Sequence, residues 1–314
     1  MTTPSASGPI LWAKEIGSEL IVSYANGRIR RTRCAQTEWR DTEQPYPMEV
    51  NQVVCCSNIA ILSWMDRELP ITFLAAMDMN EEWGEIYASR SDFIHSYHHQ
   101  NRQIQSIFHW THQLTAEIVA MTSHGNQLAF VTYNQGVYMM EPKIEWCDEI
   151  WRKEIPDWPK PWANAIWKTP ENKNGNVETV VQSIHLDETS LTLFDDRGSW
   201  VRLSAENGQE IGNGRLPFNG LNTGTWKGTD VWAIAEDDRM LHFLDDDFSI
   251  INSHRVPGPV NHAVYSKEGW FWTGWRHDGS ENRINTTKEI GLFVQLNDHV
   301  RILSNDGNWH HFEK

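Results

Sequence analysis

Short apolar runs that stop at an Asn/Asp turn and return as a second apolar run recur along most of this chain. LIVSYANGRIRR (20–31), LAFVTYNQGVYMM (128–140), LTLFDDRGSWVRL (191–203) and VWAIAEDDRMLHFL (231–244) share that plan. Such turns use left-handed backbone, which Gly, Asn and Asp tolerate best. Anchored on Asn26, Asp66, Asn134, Asp196, Asp238 and Asp278, the repeats stand 40, 68, 62, 42 and 40 residues apart. A period near 40 is that of a four-stranded propeller blade. The spacing predicts an all-β fold, a single β-propeller over 1–314 with insertions near 80–106 and 156–177. The anchors give six blades, or seven if a long interval conceals another.

Within a repeat the order is a meander of four short β-rich runs. EIVAMTSHG, LAFVTYN, GVYMMEP and DEIWRKEI form one set. VVQSIHLD, LTLFDD, SWVRLS and GQEIGNGRL form the next, and GLNTGTWKG, DVWAIAED, RMLHFLDD and FSIINSHRV the one after. No blade buries both faces alone, so neighbours must stack and the ring must close. ILWAKEI (10–16) resembles EIWRKEI (149–155), read as an outer strand, so the N- and C-terminal strands are expected to pair in one blade. The 17 Trp suit the wedges between radiating sheets.

SWVRLSAENGQEIG (199–212) and the strands after it resemble the PQQ-like and WD40-like propeller repeats. The Trp-Asp dipeptide and Gly-His pair of WD40 blades are missing. So are the evenly placed glycines and tryptophans that build a quinone pocket. The resemblance therefore implies the architecture and carries over neither a cofactor nor a catalytic residue.

Charge narrows the partners. The chain has 27 Lys+Arg against 42 Asp+Glu, a net of -15. That opposes sequence-independent nucleic-acid binding and docking on anionic lipid; the acidity reads as solubility, with a basic protein partner as the sharper alternative. No signal-peptide pattern opens the chain and no run approaches a membrane span, so the expected location is cytoplasmic. The cysteines Cys34, Cys55, Cys56 and Cys147 form no C-x-x-C pair and read as reduced, buried thiols.

The residues that carry chemistry in other folds are not arranged for it here. His95, His98, His99, His109 and His112 cluster, but no Glu separates them as in H-E-x-x-H. Asp195–Asp196, Glu236–Asp238 and Asp245–Asp247 lack calcium-loop spacing and fall where turns are expected. RIRRTR (28–33) reads as a solvated edge strand. No nucleotide or nucleophile-elbow fingerprint is present. No catalytic residue, metal ligand or cofactor is assigned.

The segment 146–167 remains. It holds Trp146, Trp151, Trp158, Trp162 and Trp167 among Pro156, Pro159 and Pro161. Prolines bar a regular central strand, and exposed tryptophans are the residues most enriched at interaction hot spots. Packed over the propeller rim they would form a lid; left exposed and contiguous, Trp151, Trp158, Trp162 and Trp167 are the predicted partner-binding residues. The expected function is a non-enzymatic scaffold that binds a protein. The alternative is a propeller enzyme, a hydrolase with a metal or acidic site at the channel mouth.

Overall fold

The computed structural model describes residues 8–17, 19–33, 48–66, 68, 71–81, 91, 109–133, 135–159, 180–218, 220–236, 239–296 and 299–312. Among them the chain forms seven antiparallel sheets. The first holds β1 (Ile10–Ile16), β2 (Glu19–Tyr24) and β3 (Ile29–Arg33). The second holds β4 (Val50–Cys56), β5 (Ile59–Asp66), β6 (Ile71–Asp78) and β7 (Trp110–Leu114). The third holds β8 (Ile118–His124), β9 (Gln127–Thr132), β10 (Gly136–Pro142) and β11 (Cys147–Lys153). The fourth runs β12 (Val181–Leu186), β13 (Ser190–Asp195), β14 (Ser199–Ser204) and β15 (Glu210–Arg215). The fifth runs β16 (Leu221–Lys227), β17 (Val231–Glu236), β18 (Met240–Asp245) and β19 (Ile250–Arg255). The sixth runs β20 (Val260–Ser266), β21 (Gly269–Gly274), β22 (His277–Ser280) and β23 (Arg283–Thr286). The seventh holds β24 (Gly291–Leu296), β25 (Val300–Ser304) and β26 (Trp309–His311). Strands follow sequence order within every sheet.

Asx turns join many of these strands. A side-chain oxygen takes the N–H two residues on: Asn26 from Arg28, Asp195 from Arg197, Asp245 from Asp247 and Asp306 from Asn308. The acidic runs at Asp195–Asp196 and Asp245–Asp247 are this turn chemistry. A second regularity lies at the start of each sheet. The pairing of its first strand with its second shifts register there, at Ile10/Trp12, Val50/Gln52, Ile118/Ala120, Val181/Ser183, Leu221/Thr225, Val260/His262 and Gly291/Phe293. A bulge at that point bends the strand and increases its twist.

The seven sheets close into a ring, a seven-bladed β-propeller. The first strands β4, β8, β12, β16, β20 and β24 touch in succession, and β1 touches both β24 and β4. Seven apolar clusters fill the seven seams between sheets. One joins Ile16, Ile21 and Ile29 to Val50, Leu62 and Trp64. Others pack Val137, Met139 and Trp151 on Val181, Leu191 and Val201, and Phe194 on Trp232 and Phe248. The last packs Ile10, Leu20, Val22 and Tyr24 on Leu292, Phe293 and Leu303. Each blade thus buries its faces on its neighbours, which is why no blade is stable alone.

Two expectations are corrected by the strand order. The long intervals between turns do not conceal a blade. They fall on the connections from β6 to β7 and from β11 to β12, and the seventh sheet comes from the C-terminal run beginning at Gly291. Ile10–Ile16 is not an outer strand of the last blade: among the described residues it lies in the first sheet, and β24–β26 form another. The tight turn at Gly17 commits β1 to pair with β2, and its far side faces β24 on the inner wall of the ring. One backbone bond crosses this seam, from Ile10 N–H to Asn305 C=O at 2.9 Å.

RIRRTR is not a solvated edge either. Arg31 has no exposed surface. Its guanidinium stands 3.4 Å from Glu19 and donates to the carbonyls of Met79 (3.3 Å) and Glu81 (2.8 Å). A buried charge is tolerable only with such partners.

Candidate functional site

The outer hairpin of the third sheet, β10–β11, carries the described part of the Trp-rich stretch. The turn at 143–146 is closed by the Lys143 N–H donating to the Trp146 carbonyl at 2.8 Å. Trp146 follows directly, with half of its surface exposed. The ring is nevertheless held. Its Nε1–H donates to Asp148 Oδ2 at 3.1 Å, and Lys143 Nζ sits 5.5 Å from the ring centroid. Lys143 in turn pairs with Asp148 at 2.7 Å and Glu141 at 3.5 Å. Lys143, and then the Trp146 indole, hold the Asp148 carboxyl below the usual carboxylate range, so the pair is charged at neutral pH. The hairpin tip is also tied to the second sheet, where Trp110 Nε1–H donates to the Lys143 carbonyl at 2.8 Å.

Ile144 and Ile150 of the same hairpin are exposed as well. Ile150 is outward because register slips beside it: Met139 pairs with Trp151, and Met140 with Glu149. Further along β11 Arg152 stands 3.9 Å from Glu149. The tip itself, 141–149, carries its exposed apolar residues among four carboxylates and one lysine, an acidic collar. Its aromatic ring is already ordered, so little side-chain freedom is lost when a partner covers it.

The predicted partner-binding residues fare differently. Trp151 is 8% exposed. It lies in the seam between the third and fourth sheets, and its indole N–H donates to the Ala205 carbonyl at 2.8 Å. Its ring lies over Gly208, where a Cβ would come within 2.9 Å and the backbone has φ +69°. Only glycine fits both demands. Trp158 is half-buried against the same cluster. Trp162 and Trp167 lie outside the described residues, as do His95, His98 and His99. The residues the sequence reading passed over are Trp146, Ile144 and Ile150. The available signal was position: Trp146 stands at the turn of KIEWCDEI, where apolar side chains have nothing to pack on.

Among the described residues one set of metal-ligand side chains converges, Asp78, Glu81 and His109. It lies at the connection from the third to the fourth strand of its sheet, not on a strand of the inner wall. His112 stands on β7, and burial lowers its pKa.

Comparison with known proteins agrees with this geometry at the level of fold. No family model matches the sequence and no curated protein does. Solved structures match nearly end to end. The Cps50 (Swd1) β-propeller domain of Myceliophteria thermophila aligns over 97% of this chain and 95% of its own, with a TM-score of 0.65 at 10% identity. The Pan2 WD40 domain of Neurospora crassa aligns over 96% and 88%, with a TM-score of 0.60 at 8% identity. BamB from Moraxella catarrhalis aligns over 96% of both chains, with a TM-score of 0.54 at 10% identity. At such identities the likeness is one of architecture.

Proposed function

We propose that this chain is a protein-interaction scaffold, and that the acidic, apolar tip of the third blade is where its partner docks. The observation that carries the reading is Trp146, a half-exposed ring fixed in place by Lys143 and Asp148. Ordered, exposed aromatic anchors of this kind dominate protein interfaces. The WD40-type propellers among the structural neighbours support the role by analogy. The acidic collar selects a partner segment that offers basic residues around an apolar side chain. Trp158, Trp162 and Trp167 remain proposed partner-binding residues on the sequence argument alone. Trp151 does not, because the seam already occupies it.

A photo-crosslinking residue placed at exposed position 145, beside an intact Trp146, tests the proposal. Position 211 serves as the control, since Ile211 is 57% exposed on the neighbouring sheet. The expected result is one discrete crosslinked protein from position 145 and none from 211. Equal yields at both positions would contradict it.

A further inference from the structure

The end of β6 and the start of β7 bring three metal-ligand side chains together. Asp78 closes β6, Glu81 stands on the turn after it, and His109 immediately precedes β7. Their ligand atoms all lie within 4.8 Å of one another, and His109 Nε2 is 3.8 Å from Glu81 Oε2. Two carboxylates this close repel each other, and a cation between them turns repulsion into attraction.

The backbone beneath the three residues is fixed from outside the cluster. Buried Arg31 of the first sheet donates to the Met79 and Glu81 carbonyls. The Met79 N–H donates to the Asn58 carbonyl at 2.8 Å, and the His109 N–H to the Ala76 carbonyl at 3.0 Å. A tetrahedral ion with bonds of about 2.0–2.1 Å holds its ligand atoms roughly 3.4 Å apart. Rotation of the Glu81 side chain, which is 63% exposed, supplies that closure without moving the backbone.

The donor set discriminates among ions. One imidazole nitrogen and two carboxylates fall short of the six to eight oxygens that calcium takes. They suit a divalent first-row ion, with the remaining position open to water. The connection that leaves at Glu81 and returns at His109 carries His95, His98 and His99, rival ligands that a test must separate from His109. We propose that Asp78, Glu81 and His109 form a site for a divalent transition-metal ion, represented by zinc, that staples the two ends of this connection.

The test is a zinc chloride titration of the full-length chain, stripped with EDTA, against a chromophoric chelator. The expected result is one zinc per chain, with binding weakened at least about tenfold in each of H109A and E81Q. At a hundredfold excess over Kd, zinc should raise the melting temperature by about 4 °C, and H109A should abolish the rise. Both replaced side chains stand away from the core, so the zinc-free variants should melt as the parent does. D78N keeps the bond from the Asn80 N–H (2.8 Å) and should still weaken zinc. Replacing His95, His98 and His99 together by Ala should leave the one-zinc stoichiometry intact. The proposal is overturned if the parent binds no zinc, if H109A and E81Q bind it as the parent does, or if the triple variant loses zinc while H109A keeps it.

Discussion

Trp146 and Trp151 lie five residues apart on one hairpin and do opposite work. Trp151 points into the seam between the third and fourth blades, donates its indole N–H to the next blade and covers Gly208. Trp146 stands at the tip, bonded within its own hairpin, with one face open to solvent. The same residue type therefore serves stability at one position and leaves surface for recognition at the other. The general lesson concerns the fold: seams are where a propeller's stability resides, and hairpin tips are where its sequence is free to specialise.

The comparison breaks if the two sites respond alike. W151A should cost about 4 kcal/mol of folding stability in urea denaturation, the scale for emptying a core tryptophan site. A loss under about 1 kcal/mol would mean the seam collapses around the gap, and Trp151 would lose its structural role. A polar seam residue extends the test. R31M takes the guanidinium away from the Glu19 carboxylate and from two turn carbonyls, and should cost about 3 kcal/mol. Combining it with E19Q should recover part of that loss, because a buried carboxylate no longer loses its arginine.

Acid sharpens the contrast between seam and tip. Burial lowers His262 to about 4, and its Nδ1 accepts the Val294 N–H across the seam between the sixth and seventh blades at 3.1 Å. Burial, chiefly, also lowers His185 to about 4. Each folded pKa lies below the unfolded one. Their contribution is therefore complete above the ordinary histidine value and is lost as pH falls from about 6.5 toward 4, by about 3 kcal/mol per residue. H262N should flatten that slope in denaturation curves collected across this window. The Lys143–Asp148 pair keeps its charges over the same range, since the Asp148 carboxyl is held below the usual value. Trp146 fluorescence should accordingly hold steady while stability declines.

Local chemistry was legible in the sequence and long-range partnership was not. The turns at Asn26 and Asp195 could be read because an Asx oxygen reaches its own backbone two residues on. The four-run order of the third, fourth and fifth blades follows from alternation between such turns. Arg31 read as solvated because its carbonyl partners, Met79 and Glu81, stand about fifty positions away. β1 read as an outer strand from its likeness to β11, yet the turn at Gly17 and the contact with β24 set its place. The Trp-rich stretch stood out by composition. Which of its rings faces outward depended on a register slip at Ile150 and on the neighbouring Ala205 carbonyl. Neither is visible in residue order.

The smallest expected effect on folding belongs to W146A, within about 0.5 kcal/mol of the parent, as for a surface change away from special features. Its effect on recognition should be large. The decisive measurement is the Kd of the protein crosslinked at position 145, determined for the parent chain, for W146A and for I211A under identical conditions. The account predicts a loss of about 2 kcal/mol, roughly thirtyfold, for W146A with an unchanged melting curve, and no change for I211A. Parent-like affinity in W146A would contradict the assignment of the third-blade tip as the partner-binding surface.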